Sequence, residues 1–251
     1  MAKQTRPCYI VGNWKMYKTI DQAVAFIDQI APLVANSSCK IMLAVPYTAI
    51  QPLSEKVKGT NIVIGAQNMN DATEGAFTGE IAAIMLKEAG AEFVLLGHSE
   101  RRIYFKEDNA FINRKVLKAL DSDLMPILCV GESFEEHQDK QTDKVVAQQL
   151  TECLQGVKKE LMVAYEPVWA IGTGLAATPK VAESAMKQAK AVLGDILGDK
   201  VGSKVPLLYG GSVSPKNAQE FLESSEIDGL LVGSASLAAE SFAQIISLQA
   251  K

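Results

Sequence analysis

Glu166 stands where an apolar run, Met162-Val163-Ala164-Tyr165, gives way to Pro167. A short run of that kind reads as a strand buried on both faces. The residue before proline is driven toward extended backbone, which makes Glu166 the last strand-like residue, with its carboxylate at the edge of burial. A carboxylate so placed suits a general base, provided water is kept away. The residues that follow offer a means of doing so. Pro167, Val168, Trp169, Ala170, Ile171, Gly172 and Thr173 are too apolar for a loop left in water, yet they carry glycine at the hinge, and they read as a lid. The bland alternative is a solvated glutamate beside an ordinary loop. Residues 172–177 also match a G-x-G-x-x-A dinucleotide fingerprint. That match is weak, because five residues separate it from the strand and the nearest acids, Asp195 and Asp199, fall in a Gly-rich turn.

Other residues able to do chemistry recur at the ends of apolar runs. Gly12-Asn13-Trp14-Lys15 provides an amide and a cation that can face the same mouth, and Gly97-His98-Ser99 places an imidazole just before a helix start. A lone histidine is as often structural as functional. Tyr209-Gly210-Gly211-Ser212 and Val232-Gly233-Ser234-Ala235-Ser236 each present bare backbone N–H groups at a turn leading into a helix, which is how anions are held at such places. Either alone is explained by a tight turn; together with the carboxylate and its lid they suggest a small anionic substrate.

The elements that must position these residues are legible as alternation. Short β-rich runs at 8–11, 41–45, 61–64, 92–96, 124–130, 162–165, 205–209 and 229–232 are separated by helical patterns. About eight such units predict a parallel (β/α)8 barrel, a TIM barrel, with the whole chain 1–251 as one domain. In that fold the site lies at the C-terminal ends of the strands, with phosphate held after the seventh and eighth. Thr19-x-x-Gln22 predicts a capping box ahead of Ala23, Ile27, Ile30 and Val34. Thr178-Pro179 and Ser214-Pro215 each predict a capping hydroxyl before proline at the first helical position. A last helix around Phe242, Ile245 and Ile246 closes the ring. Residues 67–80, from Gln67 to Glu80, are too long for a simple βα turn and carry Phe77 near the tip, so a loop that docks into something is expected.

Composition narrows the function further. A formal charge of -4 and the absence of basic blocks leave no footprint for nucleic acid or acidic lipid. Cys8, Cys39, Cys129 and Cys153 lie at scattered spacings with only His98 and His137 as imidazoles, which predicts reduced thiols and no structural zinc. The polar N-terminus offers no signal peptide and no stretch has membrane-spanning length, so a cytoplasmic location is expected.

Taken together, Asn13-Trp14-Lys15, Gly97-His98-Ser99-Glu100-Arg101, the run from Ala164 to Gly174 and Tyr209-Gly210-Gly211-Ser212-Val213 resemble triosephosphate isomerase across nearly the whole chain. The family is itself a standard case of tuned acid–base chemistry. The resemblance implies interconversion of dihydroxyacetone phosphate and D-glyceraldehyde 3-phosphate through an enediolate, in glycolysis and gluconeogenesis, with no metal or organic cofactor. Glu166 would be the base, made more basic by its dry pocket, and His98 a neutral donor to the oxyanion. Lys15 and Asn13 would add a charge and an amide, and Gly172, Ser212, Gly233 and Ser234 would bind phosphate by their N–H groups. It further implies a homodimer in which Phe77 and Thr78 approach the partner's site and Glu80 pairs with Arg101 across the interface. The chain departs from the family at Leu175-Ala176-Ala177, often Lys-Thr-Ala, and at Ser234, often glycine. A different phosphosugar enzyme on the same barrel would lack the joint Asn13, Lys15, His98 and Glu166 set, and an inactive binding relative would have lost Glu166 or His98.

Overall fold

The computed structural model describes residues 7–170 and 177–248. Its strands are β1 (Tyr9–Asn13), β2 (Lys40–Val45), β3 (Ile62–Ala66), β4 (Phe93–Leu96), β5 (Met125–Val130), β6 (Met162–Tyr165), β7 (Leu207–Tyr209) and β8 (Gly229–Val232). Each pairs in parallel with the next, and β8 pairs with β1, so the sheet closes into a barrel in sequence order, ringed by helices. The expected eight-stranded parallel barrel is therefore what forms.

Alternation along the strands divides the interior into two layers. Val11, Met42, Ala44, Phe93, Leu95, Ile127, Ala164, Leu208 and Leu231 fill the barrel. Their neighbours, Ile10, Ile41, Leu43, Val94, Leu128 and Val163 among them, pack outward against the helices. Period two with both faces buried explains why these strands read as continuous apolar runs. Space inside is tight: a Cβ on Gly65 would lie 2.4 Å from the Phe93 ring.

Several boundaries differ from the sequence expectation. β1 starts and ends later than 8–11, so that Asn13 is part of the strand, and β7 is shorter than 205–209, with Pro206 unable to donate to the ladder. The Thr19 capping box forms, and Thr178 caps the helix Pro179–Leu197 with proline at its start. Ser214 does not do the same. Asn217 Oδ1 accepts from the Ser214 N–H (2.8 Å) and lies 3.2 Å from its hydroxyl, which makes a turn, and the helix begins only at Ala218 (Ala218–Leu222).

The loop at 67–80 is tied to its own chain at its base. Arg114 Nε donates to Asp71 Oδ2 (2.7 Å), Lys118 Nζ to Thr73 Oγ1 (2.6 Å) and Asn70 Nδ2 to Glu80 Oε2 (2.8 Å). Its tip stays in solvent, with Phe77 51% exposed.

Candidate active site

The strand ends deliver the singled-out residues to one rim. Asn13 ends β1 and is buried. Two residues on, Lys15 takes a left-handed backbone with φ 53°, a conformation that costs on the order of 1–2 kcal/mol for a side chain with a Cβ. Hydrogen bonds on both sides hold it. Its N–H donates to Asn13 Oδ1 (3.0 Å), and its carbonyl accepts from Gln67 Nε2 (2.8 Å), which also donates to the Ala44 carbonyl (3.0 Å). The ammonium, thus aimed, meets Glu100 Oε1 at 2.6 Å.

His98 is the N-cap of the short helix Ser99–Tyr104, and its Nδ1 accepts from the Glu100 N–H at 3.2 Å. With that lone pair engaged, the neutral ring carries its proton on Nε2. Nε2 lies 3.0 Å from Glu166 Oε1, and the Ser99 N–H donates to Glu166 Oε2 at 3.1 Å. Both partners are almost wholly out of water. Close packing fixes the strand end: the Glu166 N–H donates to the Val130 carbonyl (2.7 Å), and a Cβ on Gly131 would fall 1.7 Å from the Glu166 carbonyl oxygen. Only glycine fits there.

Burial pushes the Glu166 carboxyl up, but His98 and the Ser99 N–H outweigh it and hold the group below the usual carboxylate range. The raised basicity expected from sequence is therefore reversed in this arrangement, because the burial that raises it comes with two hydrogen-bond donors. For His98, burial pulls the imidazole down, whereas the Glu166 carboxylate carries it above its ordinary value. The carboxylates thus favour the cation while the Glu100 N–H requires the Nδ1 lone pair. The directional bond decides for the neutral ring, since an imidazolium would set N–H against N–H at 3.2 Å.

Across a cavity of about 220 Å³ from Glu166 and His98 lie Ser212, Gly233 and Ser234. Among the described residues, their N–H groups meet no protein acceptor. The carbonyl of Gly233 accepts from both the N–H (2.8 Å) and the hydroxyl (2.7 Å) of buried Ser236. Since the peptide is planar and trans, anchoring that carbonyl turns the Ser234 N–H the opposite way. A Cβ on Gly233 would lie 3.7 Å from Lys15 Cε, so the cation sits beside these donors. Bare N–H groups and a cation make an anion site.

Of the lid residues, Pro167, Val168, Trp169 and Ala170 are described, the last three as a 3-10 turn (Val168–Ala170). Trp169 Nε1 donates to Glu132 Oε1 (2.8 Å), which also accepts from the Tyr165 hydroxyl (3.1 Å), and the indole stacks on His137 with centroids 4.2 Å apart. Ile171, Gly172 and Thr173, and with them the Gly172 phosphate contact and Leu175-Ala176, lie outside the described residues. Of the docking residues, Phe77 and Thr78 are exposed, while within the chain Arg101 Nε donates to Glu107 Oε1 (2.6 Å) and Glu80 accepts from Asn70. Sequence reasoning missed the supporting roles of Gln67, Ser99, Glu100, Cys129 and Glu132. The cap rule applied to His98 would have found Glu100; Cys129, whose buried thiol is pushed up by burial and by Glu166, carried no signal. Among the described residues there is no cluster able to hold a metal ion and no helix long and apolar enough to cross a membrane.

A closed parallel barrel with a carboxylate, an imidazole and a lysine at its C-terminal mouth, beside bare backbone donors, defines a (β/α)8-barrel enzyme for a small anionic substrate. The family model of triosephosphate isomerase matches residues 8–249. Triosephosphate isomerase from Protochlamydia amoebophila is 50% identical over 98% of this chain and 95% of that one, and the enzyme from Caldanaerobacter subterraneus is 46% identical over 95% and 98%. The crystal structure of triosephosphate isomerase from Bartonella henselae superposes with a TM-score of 0.88 at 36% identity, covering 97% of this chain and 99% of that one. The chain belongs to the triosephosphate isomerase family. Its activity is the glycolytic interconversion of dihydroxyacetone phosphate and D-glyceraldehyde 3-phosphate, by proton transfer through an enediolate.

Proposed function

We propose that Glu166 is the base of this isomerisation, lifting a proton from one substrate carbon and returning it to the next, with neutral His98 donating from Nε2 to the developing oxyanion. The observation that carries this assignment is the 3.0 Å contact between Glu166 Oε1 and His98 Nε2 at the wall of the cavity. Substrate has to part the two. Once its donors turn to substrate oxygen, the carboxylate keeps its burial and loses what lowered its pKa, so its basicity rises when the proton must be taken. Lys15 and Asn13 hold the substrate from the other side, and the N–H groups of Ser212, Gly233 and Ser234 bind its phosphate. Residues 167–173 act as the lid.

The same reaction serves gluconeogenesis when run in reverse. The chain is one barrel domain and works in the cytoplasm as a homodimer. Support for the dimer comes from the exposed Phe77 tip and from a groove of about 470 Å³ beside the site, bounded by Met16, Tyr47, Arg101, Tyr104 and Phe105. Met16 is 95% and Tyr104 74% exposed in the single chain, an apolar patch that calls for a partner. Isomerisation in deuterium oxide tests the chemistry: solvent label must enter the substrate carbons with the wild type and not with Glu166→Gln. Turnover without any label would replace the proton mechanism with a hydride shift.

A further inference from the structure

Two of the four thiols face each other at the opposite end of the barrel from the site. β1 and β2 run in parallel register with Tyr9 beside Lys40, so the preceding residues, Cys8 and Cys39, are neighbours at the N-terminal rim. The Lys40 N–H donates to the Cys8 carbonyl at 2.7 Å, which carries the ladder down to this pair. Residues level with each other on adjacent parallel strands point to the same face of the sheet, and both cysteines pack into the outer layer under the helices. Neighbouring strands lie about 4.8 Å apart, inside the roughly 4.4–6.8 Å Cα separation that a disulfide spans.

The two thiols differ in access and in charge. Cys8 is half-buried and reachable from solvent, whereas Cys39 is 4% exposed. The Cys8 thiol hydrogen-bonds the Cys39 sulfur and pushes the Cys39 pKa down to about 7 against the effect of burial, with the Ser37 hydroxyl helping. Cys129 and Cys153 are fully buried and burial pushes both thiols up, so neither competes.

We propose that Cys8 and Cys39 form a dithiol that small organic disulfides oxidise to an intramolecular disulfide. The outer thiol reacts first. The Cys39 thiolate takes the proton of the adjoining Cys8 thiol, and the Cys8 sulfur so released attacks one sulfur of the reagent; its S–S bond breaks, and one thiolate leaves, taking up that proton, while a mixed disulfide forms on Cys8. Cys39 thiolate then attacks the Cys8 sulfur and expels the second reagent thiolate. The two thiol protons of the protein end on the released thiols; the protein loses two electrons and the reagent disulfide gains them. The bond staples the start of β1 to the start of β2, around the helix Ile20–Val34, on the side of the barrel away from the catalytic rim.

The folded protein incubated with oxidised glutathione at neutral pH, quenched in acid and mapped by peptide mass spectrometry tests this. The wild type should yield peptides joined through Cys8 and Cys39 in most molecules, reversibly with dithiothreitol, and with isomerase turnover unchanged. Cys39→Ser should stop at a glutathione adduct on Cys8, and Cys8→Ser should take up none on Cys39. Absence of the linked peptide in folded wild type overturns the proposal, whether or not Cys8 carries glutathione. Labelling of Cys39 in Cys8→Ser overturns the assigned order of attack.

Discussion

Glu166 Oε1 and His98 Nε2 stand 3.0 Å apart, so the two groups assigned opposite tasks on the substrate are bonded to each other, with Ser99 N–H on the second carboxylate oxygen. The substrate must replace each of them as the other's partner. Glu166→Gln keeps the shape and loses the proton acceptor. Turnover should fall by at least about 100-fold, the usual scale of general base catalysis, with the protein still folded. A variant retaining turnover within about tenfold of wild type, a barrier change of only ~1.4 kcal/mol, would remove Glu166 from the role of base.

How much of this was legible in the sequence depends on how local the cause is. Glu166 is placed by its own neighbours, an apolar run before and a proline after, and His98 and the glycine turns by theirs. The barrel follows from counting strands. Gln67 is different: its amide supports Lys15 and Ala44, which lie 52 and 23 residues away in the chain. Such a contact exists only after β1, β2 and β3 are in register, and no window of sequence contains it. The sign of the Glu166 shift was missed for the same reason, since burial can be read from pattern whereas the Ser99 N–H that opposes it arrives from the end of β4.

The lowered pKa of Glu166 has a consequence for stability. A carboxyl held below its unfolded value contributes stability that is fully present above the unfolded pKa and is lost as pH falls through the folded one. The stability of wild type relative to Glu166→Gln should therefore hold steady at neutral pH and decline as pH falls from neutral to below the ordinary glutamate value of roughly 4.3. Denaturant titrations of both proteins across that interval measure it. A difference that does not change with pH would mean that the carboxylate is not held by His98 and Ser99 in the folded protein.

Gln67→Leu tests the support beneath Lys15. The Ala44 carbonyl would keep the Trp14 N–H at 3.1 Å, but the Lys15 carbonyl would lose its donor, and with it part of what holds φ at 53°. Leaving such a group unpaired costs about 1–3 kcal/mol. Because Lys15 is assigned to binding, KM should rise roughly 5- to 100-fold, the same energy expressed as a ratio, with kcat falling less. Unchanged KM would show that Asn13 Oδ1 alone positions the lysine.

The proposed homodimer predicts a mass by analytical ultracentrifugation of twice the chain's at micromolar concentration. Phe77→Glu, placing a charge at the exposed tip of residues 67–80, should give monomers and lower activity, because the groove beside Lys15 and His98 would lose its occupant. A monomeric wild type with full activity would refute both the dimer and the reason given for the apolar patch.

Ser234 tests whether the phosphate is held by backbone. Its side chain is exposed at the start of the turn Ser234–Ser236, and the bonds of that turn, Ser236 N–H to the Gly233 carbonyl and Leu237 N–H to the Ser234 carbonyl, do not use the Ser234 N–H. Ser234→Gly should therefore leave phosphate affinity nearly unchanged. Ser234→Pro removes the donor without removing an internal hydrogen bond, and the ring's fixed φ suits the first residue of a 3-10 turn. A hydrogen bond to a charged group contributes about 1.5–3 kcal/mol, so substrate binding should weaken roughly 10- to 100-fold. Thermal unfolding of the proline variant must first match wild type, since Gly233, at ψ -115°, has to accept a proline after it. If Ser234→Gly weakens binding as much as Ser234→Pro in folded protein, the hydroxyl is the contact, and the peptide orientation set by Ser236 has no part in holding phosphate.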